Sequence, residues 1–335
     1  MAAFPSFRLR DAVDAVDLAG AALLTVTVVW IGLAAGAGNG DAGPVTVALA
    51  GAAAVAWIAR QVTRLHGWLV PLLVYAAVAI FAVDSGTPLT RGGPLGYANA
   101  SAALYFLAAA AALMVFVRCS RPLVRVWALW AAVVAGVLPW LSGVVTAALL
   151  VCALPLALTS PPTRDKVRFL MAGGALLVFA VLATTVLLGA SYGGDRTGLV
   201  DRVVDATLSE RRVQLWRDAL AITESNPAFG IGPGRFDEVS PTALANPDTS
   251  KAHNEYLQMS AETGFAGFAL SLGLLLWGFA RLWSGPGDGG AVVAAVALTG
   301  VGVHASIDYI LHFTAVAVAT AALTGAGSAA ASSEP

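Results

Sequence analysis

Apolar residues along this chain gather into long runs, each cut short by charges or by clusters of glycine and proline. The runs fall at 15–35, 45–59, 68–83, 100–117, 124–138, 144–158, 169–190, 256–280, 291–306 and 309–323. A helix that crosses the hydrocarbon core needs about 20 apolar residues. The pattern therefore predicts an all-α polytopic membrane protein of about ten transmembrane helices, with 1–335 forming a single integral membrane domain. Several runs are short, which predicts tilted helices or a locally thinned bilayer. The first run follows Arg8 and Arg10, as a signal peptide would, but it is too long for the apolar core of one and reads as a membrane helix.

Composition sharpens this picture. Apolar residues make up 58% of the 335 and charged ones 12%, with a mean hydropathy of +0.78, far from the balance of a soluble domain. The net charge of -1 supplies no basic field to hold nucleic acid. Cys119 and Cys152 have neither disulfide-framework nor zinc-ligand spacing and read as packing residues.

Charge also orients the chain. With the amino terminus inside, Arg8, Arg10, Arg60, Arg64, Arg118, Arg121, Arg125, Arg164, Lys166, Arg168 and Arg281 all fall in cytoplasmic loops, whereas the short outward loops hold only Arg91. That is the distribution the positive-inside rule expects. It predicts a multi-pass protein of the cytoplasmic (inner) membrane with both termini in the cytoplasm. The other basic residues lie in one outward segment, 191–255, which is long for a connector and so a place to look for function.

Within that segment, Ser209 to Glu224 has helical spacing, with Val213, Leu215, Trp216, Leu220 and Ile222 interleaved with Arg211, Arg212, Arg217 and Asp218. Ser209 is placed to cap the start. Periodicity alone favours an amphipathic helix lying on the membrane surface. Gly230-Ile231-Gly232-Pro233-Gly234-Arg235 has the glycine density of a phosphate-cradling loop but lacks the preceding strand of a dinucleotide site. It is either a tight turn or a backbone nest facing an anion together with Arg235. His253 precedes the next apolar run, at a helix amino terminus that favours anions and a neutral imidazole. From it Asn254, Gln258 and Glu262 descend as a polar stripe. His304, Asp308 and His312 are the other polar positions at membrane depth, with a structural hydrogen-bond pair and a role in the site equally open. Arg91 and Asn99 share the outer face.

The ordered set Arg212-Val213-Gln214-Leu215-Trp216, Asn226-Pro227-Ala228-Phe229-Gly230-Ile231-Gly232-Pro233-Gly234-Arg235-Phe236, Ala252-His253-Asn254-Glu255-Tyr256-Leu257-Gln258 and Glu262-Thr263-Gly264-Phe265-Ala266-Gly267 resembles the O-antigen ligase and Wzy-type polysaccharide polymerase superfamily. Weaker agreement reaches upstream to the glycine-rich turn from Arg91 to Asn99. The resemblance implies a metal-independent glycosyltransferase of the all-helical, multi-span kind. Such an enzyme moves a glycan from a polyprenyl diphosphate-linked donor to a glycan or lipid acceptor on the outer side of the cytoplasmic membrane, without a bound cofactor. It implies that His253 is the catalytic or substrate-orienting residue and that Arg212 binds the diphosphate. Arg217, Arg235, Arg91, Arg211 and Asn254 are further substrate-binding candidates. The family's Ser-Arg-Gly reads Leu141-Ser142-Gly143 here, which leaves one phosphate contact absent or supplied by Arg91 or Arg211.

The residues fit that chemistry. A leaving diphosphate gathers negative charge, which the planar, permanently ionised guanidinium stabilises, and a neutral imidazole can take the acceptor hydroxyl's proton. Two other classes share the arginines and the lined cavity: a flippase or transporter for lipid-linked sugars, and a noncatalytic scaffold of the cell envelope. Neither needs His253.

Overall fold

The computed structural model describes residues 14–87, 92–157, 161–191, 209–246 and 249–330. Among them are thirteen α-helices and no strand: α1 (Ala15–Gly38), α2 (Gly43–Leu65), α3 (Leu69–Asp84), α4 (Ala98–Arg118), α5 (Pro122–Leu141), α6 (Val145–Ala153), α7 (Arg164–Ser191), α8 (Glu210–Ser225), α9 (Phe236–Val239), α10 (Pro241–Leu244), α11 (Glu255–Trp283), α12 (Gly289–Ala305) and α13 (Thr314–Gly327). Short 3₁₀ turns follow α6 at Leu154–Ala157 and precede α13 at Ile310–His312.

Every expected span overlaps a helix, although the run at 144–158 ends outside the described residues and the helix in the run at 309–323 starts only at Thr314. Six of them, α1, α2, α4, α5, α7 and α11, are long and apolar enough to cross a membrane. The others are shorter: α3 has 16 residues, α12 has 17, α13 has 14 and α6 has nine. At 1.5 Å per residue the 14 residues of α13 reach only about 21 Å, so the structure supports a polytopic helical protein without fixing the count at ten.

Helix boundaries follow from local chemistry. Asp14 caps α1, accepting from the Val16 and Asp17 amides, while the Asp17 side chain returns to the Asp14 amide in a capping box. Asp288 caps α12. Pro44 and Pro122 stand in the first turns of α2 and α5, where the missing N–H costs nothing. The centre of the bundle is α4, whose residues from Ala100 to Val115 are buried on all sides. Its alanines let neighbouring backbones approach closely, which is how helices associate where lipid supplies no hydrophobic drive. The outer faces of α1, α5 and α7 expose Leu18, Val26, Trp127, Trp130, Phe169 and Leu176, as lipid contact requires.

The bundle has two poles. At one, Arg60 of α2 and Arg281 of α11 are buried against Asp14 and Asp17 at the start of α1, with Arg281 Nη1 2.7 Å from Asp14. Beside them Arg118 pairs with Asp288 at 3.0 Å and donates to the Ala326 and Ala329 carbonyls. At the other pole lie the start of α4, the ends of α7 and α12, and the described part of the 191–255 segment.

That segment is a small folded cap. Helix α8 buries Val213, Leu215, Trp216, Ala219 and Ile222 with Ile231, Phe236, Ala243, Leu257 and Ala261. Its apolar face therefore meets protein, correcting the expectation of a helix resting on lipid. Ser209 occupies the cap position of α8, but its side chain makes no capping bond.

Helix α11 is broken at Gly264, where φ is 74° and ψ is -175°. The glycine-rich turn fills the break. The Ile231 and Gly232 amides donate to the Ala261 and Glu262 carbonyls, the Phe265 amide donates to the Pro227 carbonyl, and Trp30 Nε1 donates to the Thr263 carbonyl. Gly230 (φ 65°) must be glycine, since a Cβ there would sit 2.4 Å from the Glu262 carbonyl carbon. Such a break is tolerated at membrane depth only where other groups satisfy the freed backbone, as they do here. The alternatives of tight turn and anion nest are resolved within the chain: Gly234 N–H donates to the Glu262 carboxylate at 2.9 Å, so the anion facing the turn is the protein's own.

Candidate functional site

Four elements meet at the site pole. Tyr97 and Asn99 come from the start of α4, Arg212 from the first turn of α8, His253 from just before α11, and Asp308 from the turn after α12. Asp308 is the hub, with 1% of its side chain exposed. Tyr97 Oη donates to its two carboxylate oxygens at 2.8 and 2.9 Å, and the Tyr309 amide donates at 2.8 Å. Asn99 Nδ2 also donates to it in a short contact. Arg212 Nη2 pairs with Oδ2 at 3.0 Å, and His253 Nδ1 faces Oδ1 at 3.4 Å.

The electrostatics follow from this crowd of donors. Burial by itself would raise the Asp308 pKa, but the His253 hydrogen bond and the nearby Arg212 charge outweigh it and hold the carboxyl at about 2. Tyr97 moves the other way: burial, then the Asp308 charge, push its phenol well above the ordinary value, so it remains a donor. Its ring stacks on Tyr309 and Phe313, with centroids 4.9 and 5.7 Å apart, which fixes where its hydroxyl points.

His253 has a left-handed backbone, φ 51°, uncommon outside glycine. Trp216, wholly buried, donates from Nε1 to the His253 carbonyl at 3.1 Å and secures that conformation. The imidazole therefore turns toward Asp308 and Tyr97 and away from the α11 axis. With Nδ1 facing the carboxylate, the consistent tautomer carries its proton on Nδ1 and leaves the lone pair on Nε2. A carboxylate that orients an imidazole in this way is the arrangement used in acyl-transfer triads.

The other sequence candidates separate. Arg212 joins the hub; only its Nη2 is engaged by Asp308, and a quarter of its side chain is exposed. Arg211 and Arg217 are exposed on α8 and, at about 100° per residue, leave the helix roughly 100° and 140° away from Arg212. Arg235 is committed to the fold, donating to the Gly38 carbonyl and pairing with Glu238 at 2.7 Å. Asn254 is wholly buried and its amide is fully used: Oδ1 accepts from the Tyr256 and Leu257 amides, while Nδ2 donates to Thr185 and the Ser306 carbonyl. It caps α11 and anchors it to α7 and α12. Arg91 lies outside the described residues. Ser142 ends α5 as its C-cap, donating to the Leu138 carbonyl.

The three polar residues after α12 also part company. Asp308 enters the hub, His304 stays buried in α12, and His312 turns to the other side of the α11 start, where Nδ1 lies 3.1 Å from Glu255. Sequence reasoning left a site role for Asp308 open and did not single out Tyr97. The spacing of Asp308 from the histidines was the available signal, and Tyr97 gave none. Among the described residues no cluster of three or more metal-ligand side chains occurs.

The fold and this polar hub define a polytopic helical membrane protein with a buried carboxylate, an imidazole and an arginine gathered at one pole. Residues 139–272 match the family model described as O-antigen ligase. The match includes Arg212 and His253 and the glycine-rich turn, while Tyr97 and Asp308 lie beyond its two ends. No curated protein matches the chain.

Proposed function

We propose that the chain is a membrane glycosyltransferase that ligates or polymerises a glycan from a polyprenyl diphosphate-linked donor on the outer face of the cytoplasmic membrane. One observation supports this reading: Asp308 holds both Arg212 and His253, so an arginine suited to phosphate and an imidazole suited to general-base work meet at one carboxylate, both within the stretch that matches the O-antigen ligase family model. In the reaction the acceptor hydroxyl oxygen attacks the anomeric carbon as the bond from that carbon to the diphosphate oxygen breaks. The unengaged Nε and Nη1 of Arg212 stabilise the departing diphosphate. Nε2 of His253 takes the hydroxyl proton, and Asp308 stabilises the imidazolium that forms. The site pole is then outward, with both termini cytoplasmic, and ten helices cross the bilayer.

The test is transfer by the purified protein from a panel of polyprenyl diphosphate oligosaccharides, with free polyprenyl diphosphate and the extended or ligated glycan as products. Lipid-linked sugar crossing a vesicle membrane without any transfer would replace this reading with the flippase. The broken α11 favours that alternative, because discontinuous helices recur in transporters. Against it, the far pole is closed by the buried Asp17, Arg60 and Arg281 ion pairs.

A further inference from the structure

A cavity of about 600 Å³ runs along α11, walled on its other sides by α1, α2 and α13. It starts at the site pole beside Glu255, Gln258 and His312 and ends at the opposite pole on Asp17, Arg60 and Arg281. Between those ends its wall is mainly apolar and includes Ala48 and Ala52 of α2 and Leu270 and Leu274 of α11. From Glu255 to Arg281 the helix rises about 39 Å at 1.5 Å per residue, comparable to the roughly 30 Å of a bilayer's hydrocarbon core. A volume of that size spread over that length suits an extended hydrocarbon chain better than a bulky head.

The mouth differs in chemistry from the Asp308 hub. None of Arg212, His253, Tyr97 or Asp308 lines the cavity. Glu255 faces His312 Nδ1 at 3.1 Å, and Gln258 Nε2 donates to Glu262 at 3.0 Å. Burial lowers the His312 pKa, but Glu255 more than offsets this and leaves it raised; the Lys251 charge acts against Glu255, and Glu262 acts with it. Two carboxylates thus balance Lys251 and His312, and the mouth has no surplus of cationic donors to hold a diphosphate. Its mixture of carboxylate, amide and imidazole does match hydroxyl groups, each of which donates and accepts.

We infer that this cleft binds the acceptor, a lipid with an extended apolar chain and an uncharged, hydroxyl-rich head, with the head at Glu255 and His312. The acceptor role rests on the transferase reading; the binding does not. The Tyr309 ring contacts both histidines, its centroid 4.9 Å from His253 and 6.0 Å from His312. A head hydroxyl bound beside His312 therefore lies one aromatic ring away from the base.

The experiment reads binding alone. The full chain in phosphatidylcholine nanodiscs is photolabelled with an alkyl glucoside carrying a diazirine in its chain, and the labelled residues are mapped by mass spectrometry. Label is expected around Ala48 and Ala52 in α2 and Leu270 and Leu274 in α11, displaced by unlabelled alkyl glucoside and not by polyprenyl phosphate. Ala52→Trp, or Leu274→Trp should the first not fold, is expected to cut labelling about tenfold, and His312→Ala to weaken glucoside affinity by about tenfold. Arg212→Ala should leave both unchanged. Displacement by polyprenyl phosphate would make the cleft the donor's tail site and overturn the inference. Labelling that ignores His312→Ala, or that extra phosphatidylcholine displaces equally well, would reduce the cleft to a groove for bulk lipid. Loss of transfer in the assay with lipid-linked oligosaccharides tests the transferase reading and leaves this binding result intact.

Discussion

Replacing Asp308 by Asn keeps the shape of the side chain and removes its charge. The hub then turns donor against donor, because the new amide meets Arg212 Nη2, Asn99 Nδ2, Tyr97 Oη and the Tyr309 amide, all of which pointed hydrogens at a carboxylate. Two routes give the size of the effect. Breaking a buried ion pair from one side costs about 3–5 kcal/mol, less here because a quarter of Arg212 is exposed to solvent. Holding the carboxyl at about 2, from an ordinary 3.8, corresponds to about 2–3 kcal/mol at 1.36 kcal/mol per pKa unit. Both point to a loss of about 2–3 kcal/mol, read as a lower thermal midpoint of the purified protein. The pH dependence has a definite sign. A carboxyl whose folded pKa is depressed contributes stability above its unfolded pKa and loses it as pH falls through the folded value. Wild type should therefore lose stability between about pH 4 and pH 2, and Asp308→Asn should lose less over that window, the remaining slope coming from groups such as Asp14, also held low despite burial by its bond to Arg281. Transfer should drop about a hundred- to ten-thousand-fold as His253 and Arg212 lose their common anchor. A variant with an unchanged midpoint, an unchanged acid profile and near-normal transfer would refute the hub.

Other expected outcomes can be checked separately. His253→Ala should cut transfer about a hundred- to ten-thousand-fold while donor binding survives. His253→Asn, which also tolerates left-handed backbone, should be equally inactive, so recovery with Asn would assign the residue to the backbone turn alone. Arg212→Ala should raise the KM for the lipid diphosphate and Arg212→Lys restore it only in part, because a point charge cannot reproduce a planar fork; equal rescue by Lys would exclude a two-pronged contact. Gly264→Ala should lower folded yield and cost more than the roughly 1–3 kcal/mol of left-handed strain, since its Cβ would stand 2.2 Å from the Ala228 carbonyl oxygen. An impermeant thiol reagent should reach a cysteine at Asp237 but not one at Arg164; the reverse pattern would invert the topology and place the hub in the cytoplasm.

Hydrophobic runs sufficed to locate the helices, because each span needs only its own residues to be apolar and the backbone satisfies itself within the helix. The arginines and the histidine gathered in the 191–255 segment likewise marked it as the place to look for chemistry. Local pattern could not tell which of those arginines meet. Arg212 and Asp308 are 96 residues apart and Tyr97 and Asp308 are 211 apart, and no periodicity links positions that distant. The same limit applied to the glycine-rich turn: its amides looked free for a ligand because the partners that consume them, the carbonyls released at Gly264, belong to a break in α11 that the sequence shows only as one more glycine. Asn254 looked like a ligand for substrate, yet at the mouth of a buried helix its amide is claimed first by the α11 amides and by Thr185 and Ser306. The sequence by itself determined a helical membrane protein and singled out Arg212 and His253 as candidates. Only the tertiary structure decided that Asp308 joins them, because a buried carboxylate draws donors from whichever helices packing brings within reach.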